Sequence, residues 1–136
     1  MSAHATSPSG SVDRIDVSLP LRTANLATLR TIAASLGADA GFSIDEIDDV
    51  RLGLSEVLSA LADGADDGEP ERVTASFVVR PGELEIVVRS DRARGGVELD
   101  ELAASILDTV LERFETTGDQ VTLVKRATET GGAVDA

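Results

Sequence analysis

The 136-residue chain has no cysteine, no tryptophan and no tyrosine. Without cysteine there is no disulfide framework, no zinc–thiolate centre and no thiol nucleophile. Only three residues are aromatic, all phenylalanine, so the core is built from Leu, Val, Ile and Ala. The one histidine, His4, stands in a small polar leader and is a poor base or metal ligand. No apolar run approaches the length that crosses a bilayer. The start, "MSAHATSPSGS", lacks the charged and apolar regions of a secretory signal. Cytoplasmic placement is the expectation.

Basic residues are few. Twelve Lys and Arg stand against 25 Asp and Glu, for a net charge of −13. Such a chain repels phosphate backbones, which argues against direct nucleic-acid binding and favours basic faces of protein partners. Ordinary solubility accounts for the same charge.

The length suits one domain with a self-sufficient core. Residues 1–12 and 127–136 are small and polar and are expected to be disordered. The folded unit is then residues 13–126. "RIDVSLP" alternates and predicts a strand over 14–20. A helix over 23–36 follows, with Leu26, Leu29, Ala33 and Leu36 as its stripe and Gly37 at C′. "SIDE" at 43–46 is a capping box. It opens a second helix whose apolar series is Ile47, Val50, Leu54, Val57, Leu58 and Leu61, ended by Gly64. "VTASFVV", "RPGE" and "LEIVV" read as a hairpin over 73–88. A third helix is expected from Asp100 to Phe114, with Leu102, Ile106, Val110 and Phe114 on one face. "VTLVK" at 121–125 is the last strand. The order β-α-α-β-β-α-β predicts an α+β, two-layer sandwich: a mixed four-stranded sheet covered on one face by three helices.

Asp49, Gly53, Glu56, Ala60 and Asp63 form a stripe on the second helix, beside its apolar face. A carboxylate there could orient a water or a metal-bound phosphate. Spacing alone favours a solvated face. "RSDRARGG" crowds Arg89, Arg92 and Arg94 beside glycines, which suits an anion or a plain exposed loop. Asp63, Asp66 and Asp67 lack the ligand spacing of a calcium loop and read as a solvated turn. There is no P-loop, no dinucleotide fingerprint and no His to serve a Ser nucleophile.

The run "DDVRLGLSEVLSALADG" resembles the N-box helix of the GHKL (histidine kinase-like) ATPase superfamily, in its anti-sigma regulatory, serine-protein kinase branch. That helix typically reads Glu-Ala-x-x-Asn-Ala-x-x-His. Glu56 matches the Glu, Ala60 replaces the magnesium-binding Asn, and Gly64 stands where the His often does. "LPLRTANLATLRTIAASLG" is similar to the family's first strand and helix. "LEIVVRSDRARGG" resembles the strand into its adenine box, Asp-x-Gly-x-Gly. Asp91 would be the adenine-reading Asp, Ala93 replaces the first Gly, and Gly95 matches the second. "GDQVTLVKR" resembles the closing strand. The phosphate-wrapping glycine motif has no match. The resemblance implies the histidine kinase-like fold over 13–126. It implies an anti-sigma-factor-like regulator working by partner switching, with a degenerate ATP site. Glu56 would be a remnant general base, and Asp91 and Gly95 adenine-box remnants. There would be no metal site, no magnesium, and no cofactor or weakly held ATP. The expected partner is a sigma factor or an anti-sigma antagonist, with a homodimer as a further possibility. The alternative is an active ATP-dependent serine-protein kinase with divergent motifs, Glu56 its base.

Overall fold

The structure is a computed structural model that describes residues 13–62, 71–91 and 97–128. Eight elements follow in order: β1 (Asp13–Pro20), α1 (Thr23–Asp39), α2 (Ile44–Ala62), β2 (Arg72–Arg80), β3 (Glu83–Ser90), α3 (Glu101–Val110), β4 (Arg113–Thr117) and β5 (Gln120–Arg126). The strands form one sheet in the order β1-β2-β3-β5-β4.

The two-layer α+β sandwich stands as expected, with two corrections to its sheet. All four ladders are antiparallel, so the sheet is not mixed, and it has five strands rather than four. The extra strand comes from the segment assigned to the end of the third helix. α3 stops at Val110 because Leu111 turns extended, at φ −122 and ψ 154. Arg113–Thr117 then pairs with β5 across a two-residue turn of Gly118 and Asp119. The helical spacing of Leu102, Ile106, Val110 and Phe114 misled. The face that packs is Ala103, Leu107 and Val110, while Leu102 is 70% exposed. Pairing with a neighbouring strand outweighs a weak local preference.

The strands alternate as their sequences require. Val73, Ala75, Phe77 and Val79 of β2 are buried, with Leu84, Ile86 and Val88 of β3 and Val121 and Leu123 of β5. Register puts these on one face, Phe77 opposite Ile86 and Ile86 opposite Leu123. The helices cover that face with Leu26, Leu29, Ala33 and Leu36 of α1 and Val50, Leu54, Val57, Leu58 and Leu61 of α2. The other face carries ion pairs, Arg80 to Glu83 at 3.2 Å and Arg126 to Glu83 at 3.2 Å.

The corner between α1 and α2 differs in detail from the sequence expectation. Gly37 lies inside α1, and the left-handed residue after the helix is Gly41, at φ 93. The Gly41 N–H donates to Ala38 O, and the Phe42 N–H donates to Gly37 O at 3.0 Å. Those two bonds make a Schellman motif, which needs a residue free to take positive φ. The Phe42 ring fills the space a Cβ on Gly37 would need, 3.2 Å away.

The capping box forms as expected. The Ser43 N–H donates to Glu46 Oε1 at 2.8 Å, and Ser43 Oγ accepts from the Glu46 N–H at 3.1 Å. Glu46 Oε2 also accepts from the Thr128 N–H at 2.7 Å. Ala127 N–H donates to Gly82 O at 2.8 Å. The leader, with His4, and residues 129–136 lie outside the described residues.

Candidate functional site

α2 does several jobs along its second stripe. At its start, Asp49 Oδ2 accepts from Lys125 Nζ at 3.0 Å. Lys125 follows Val121 and Leu123 on the buried face of β5, and it also donates to Val110 O at 2.9 Å. This ion pair joins α2, β5 and the end of α3. Sequence reasoning put Asp49 on the stripe beside the apolar face of α2 but did not foresee this partner. The signal was a lysine in the core phase of a strand, which needs a partner when buried.

One turn on, Gly53 is buried against Leu111. A Cβ there would stand 3.3 Å from Leu111 Cδ1, so the absence of a side chain sets how closely α2 approaches the exit of α3. One further turn brings Glu56, then Ser59 and Ala60. These line a cleft of about 830 Å³. Its other walls are Val97, Glu98, Leu99 and Asp100, the α3 residues Ala103 and Ala104, and Phe114 and Thr116 of β4. Val97, Leu99 and Phe114 pack against the core and give the cleft its apolar part. Asp100 caps α3, its Oδ1 accepting from the Ala103 N–H at 2.8 Å. The half-buried Glu56 and the exposed Glu98 have no ion-pair partner among the described residues.

The structure thus brings Glu56 and Ala60 together on one wall. Asp91 is exposed just beyond β3 and is not among the described lining residues. Arg89 is exposed and alternates with the buried Val88 and Ser90, so it belongs to the sheet face away from the helices. Gly95, Arg92, Ala93 and Arg94 lie outside the described residues, as do Asp63, Gly64, Asp66 and Asp67. The β4 wall could not be foreseen while Phe114 was assigned to a helix.

A magnesium ion bound with phosphates needs protein oxygens, and Ala60 has none in its side chain. Three carboxylates and no Lys or Arg line the cleft among the described residues. Carboxylates beside a polyphosphate raise its energy.

Among the described residues, no helix is long and apolar enough to cross a membrane. No family model matches the chain. No curated protein matches it either. Among solved structures, the chain is similar to the crystal structure of the RsbU and RsbW domains of Rv1364c from Mycobacterium tuberculosis, at 15% identity and a TM-score of 0.57. The match covers 85% of this chain but only 32% of the solved one, so the chain spans about a third of that length. At this identity the likeness shows the fold alone: an RsbW-like α+β sandwich.

Proposed function

We propose that the protein is an anti-sigma-factor-like regulator that acts by binding a protein partner, on a histidine kinase-like fold whose ATP site is degenerate. The observation that carries this is Ala60, on the cleft wall one turn after Glu56. The position where the family's helix offers a metal ligand offers a methyl group. Glu56 is then a remnant of the general base, with Asp91 and Gly95 remnants of the adenine box. Sequestering a partner needs only a surface and an affinity, so it survives the loss of nucleotide chemistry. The partner is a sigma factor or an antagonist of the anti-sigma class, met in the cytoplasm.

Thermal melting with and without millimolar Mg-ATP tests the degenerate site. No shift is expected. Ligand at a hundred times its Kd stabilises by about 2.7 kcal/mol, which a melt resolves easily. Such a shift in the unaltered protein would remove the degenerate-site reading. The variant Ala60→Asn restores the missing oxygen, and Mg-dependent nucleotide binding gained there supports a pocket that has lost its metal ligand. The protein-binding reading fails if the protein captures neither a sigma factor nor an anti-sigma antagonist from its host.

A second reading is an ATP-dependent serine-protein kinase with Glu56 as base and Asp91 reading adenine. The open cleft beside Glu56 is the observation that favours it. Transfer of the ATP γ-phosphate to a partner's serine hydroxyl, abolished in Glu56→Gln, would establish it.

A further inference from the structure

We infer that the cleft beside Glu56 takes an extended, arginine- or lysine-bearing segment of a protein partner along the outer edge of β4. This assignment rests on the protein-binding reading and gives that reading a place and a chemistry.

The first ground is charge. Glu56 is half-buried, Glu98 lines the same cleft, and neither has an ionic partner among the described residues. Several other partly covered carboxylates are engaged, Asp49 by Lys125, Glu83 by Arg80 and Arg126, and Glu46 by the Ser43 and Thr128 amides, whereas Glu71, like Glu56, has no ionic partner among the described residues. A carboxylate kept half out of water with nothing to hold is suited to an incoming cation. The net charge of −13 draws basic partners toward it from a distance.

The second ground is shape and surface. Val97, Leu99 and Phe114 give apolar walls between the acids. Arginine and lysine match that combination, because their methylene stems pack on apolar surface while their heads seek a carboxylate. A space of about 830 Å³ is far larger than one such side chain, so it suits several consecutive residues.

The third ground is backbone. β4 lines the cleft through Phe114 and Thr116, and among the described residues it pairs with β5 alone. Its outer edge therefore carries amide and carbonyl groups with no strand partner among the described residues. An added strand takes affinity from those groups and specificity from pockets for alternate side chains. A free amine would use the acids but neither the edge nor the length, so the occupant is a peptide segment.

The test uses the full chain and a fluorescein-labelled hexapeptide of alternating leucine and arginine, read by fluorescence anisotropy. Saturable binding is expected, weakening as salt is raised. Glu56→Gln should raise Kd about 10-fold, the value of a charge-assisted hydrogen bond. Glu98→Gln should raise it about 2-fold, because that pair stays in water. Ala60→Arg should also abolish binding, since its guanidinium can reach back to Glu56 at i−4 and fill the cleft. Melting curves of the variants that overlay the parent's show that the fold is intact. No binding by the parent chain overturns the assignment. So does equal binding of a leucine–glutamate peptide, or an unchanged Kd in the Glu56→Gln, Glu98→Gln double variant. If that double variant still captures the regulator's protein partner as the parent does, the protein-binding function stands and the cleft is not its seat. If the parent captures no partner, the function itself falls.

Discussion

Replacing Lys125 by methionine keeps most of the side-chain volume and removes the charge. The Lys125 side chain is 10% exposed, and its Nζ holds Asp49 at 3.0 Å and Val110 O at 2.9 Å. Two losses stand against one gain. The Val110 carbonyl loses a donor, and an unsatisfied buried acceptor costs about 1–3 kcal/mol. Asp49 is 39% exposed and recovers water, so losing the ion pair adds only about 0.5–1 kcal/mol. Against this, the lysine no longer has to be desolvated, which returns part of the loss. A net cost of about 1–2 kcal/mol results. Asp49→Ala is worse, at about 3 kcal/mol, because it leaves an ammonium nearly buried with one carbonyl for company. Urea unfolding of the two single variants and the double variant closes the cycle. The double should be about 1–2 kcal/mol more stable than the sum of the singles predicts, since the methionine removes the stranded charge. Additivity within about 0.4 kcal/mol would refute the coupling. So would Asp49→Ala proving milder than Lys125→Met.

Other outcomes follow from local geometry. Burial works to raise the Glu46 carboxyl, but amide and hydroxyl donors from Ser43 and Thr128 outweigh it and hold the group below its ordinary value of 4.5. Between the two values the unfolded chain carries the proton and the folded chain does not. Stability from this site is therefore full above about pH 4.5 and lost as pH falls through the folded value. Urea titrations at several pH values should show a shallower acid slope in Glu46→Gln. Gly53→Val should lower stability by about 2 kcal/mol, because it overpacks Leu111, and a thermal melt will read it. Gly41→Ala meets no atom within 4 Å, yet should cost about 1–2 kcal/mol from positive φ alone, measured by denaturant midpoint.

Much of the scaffold was legible because its signals are local. The capping box needs only Ser43 and Glu46, three residues apart. The stripe of α2 and the alternation of β2 and β3 repeat often enough to fix their faces. Where the signal is tertiary, legibility ends. Whether residues 113–117 are helix or strand is decided by β5 lying beside them. The role of Asp49 is decided by a lysine 76 residues away. At the cleft, the sequence put Glu56 and Ala60 on one helical stripe, and they share one wall. The opposite wall comes from residues 97–104 and from β4, and no spacing along α2 encodes it.

The place of β5 has a consequence for how the protein is made. Among the described residues it is the last strand, yet it lies inside the sheet, between β3 and β4. Synthesis proceeds from the N-terminus, so β1, β2 and β3 leave the ribosome with one flank of β3 open. That flank presents backbone groups that any other nascent strand can take. The chain closes its own vulnerable edge only when residues 120–126 arrive, bringing β4 with them as one hairpin. A message truncated before that hairpin would yield a product inclined to aggregate rather than a smaller working domain.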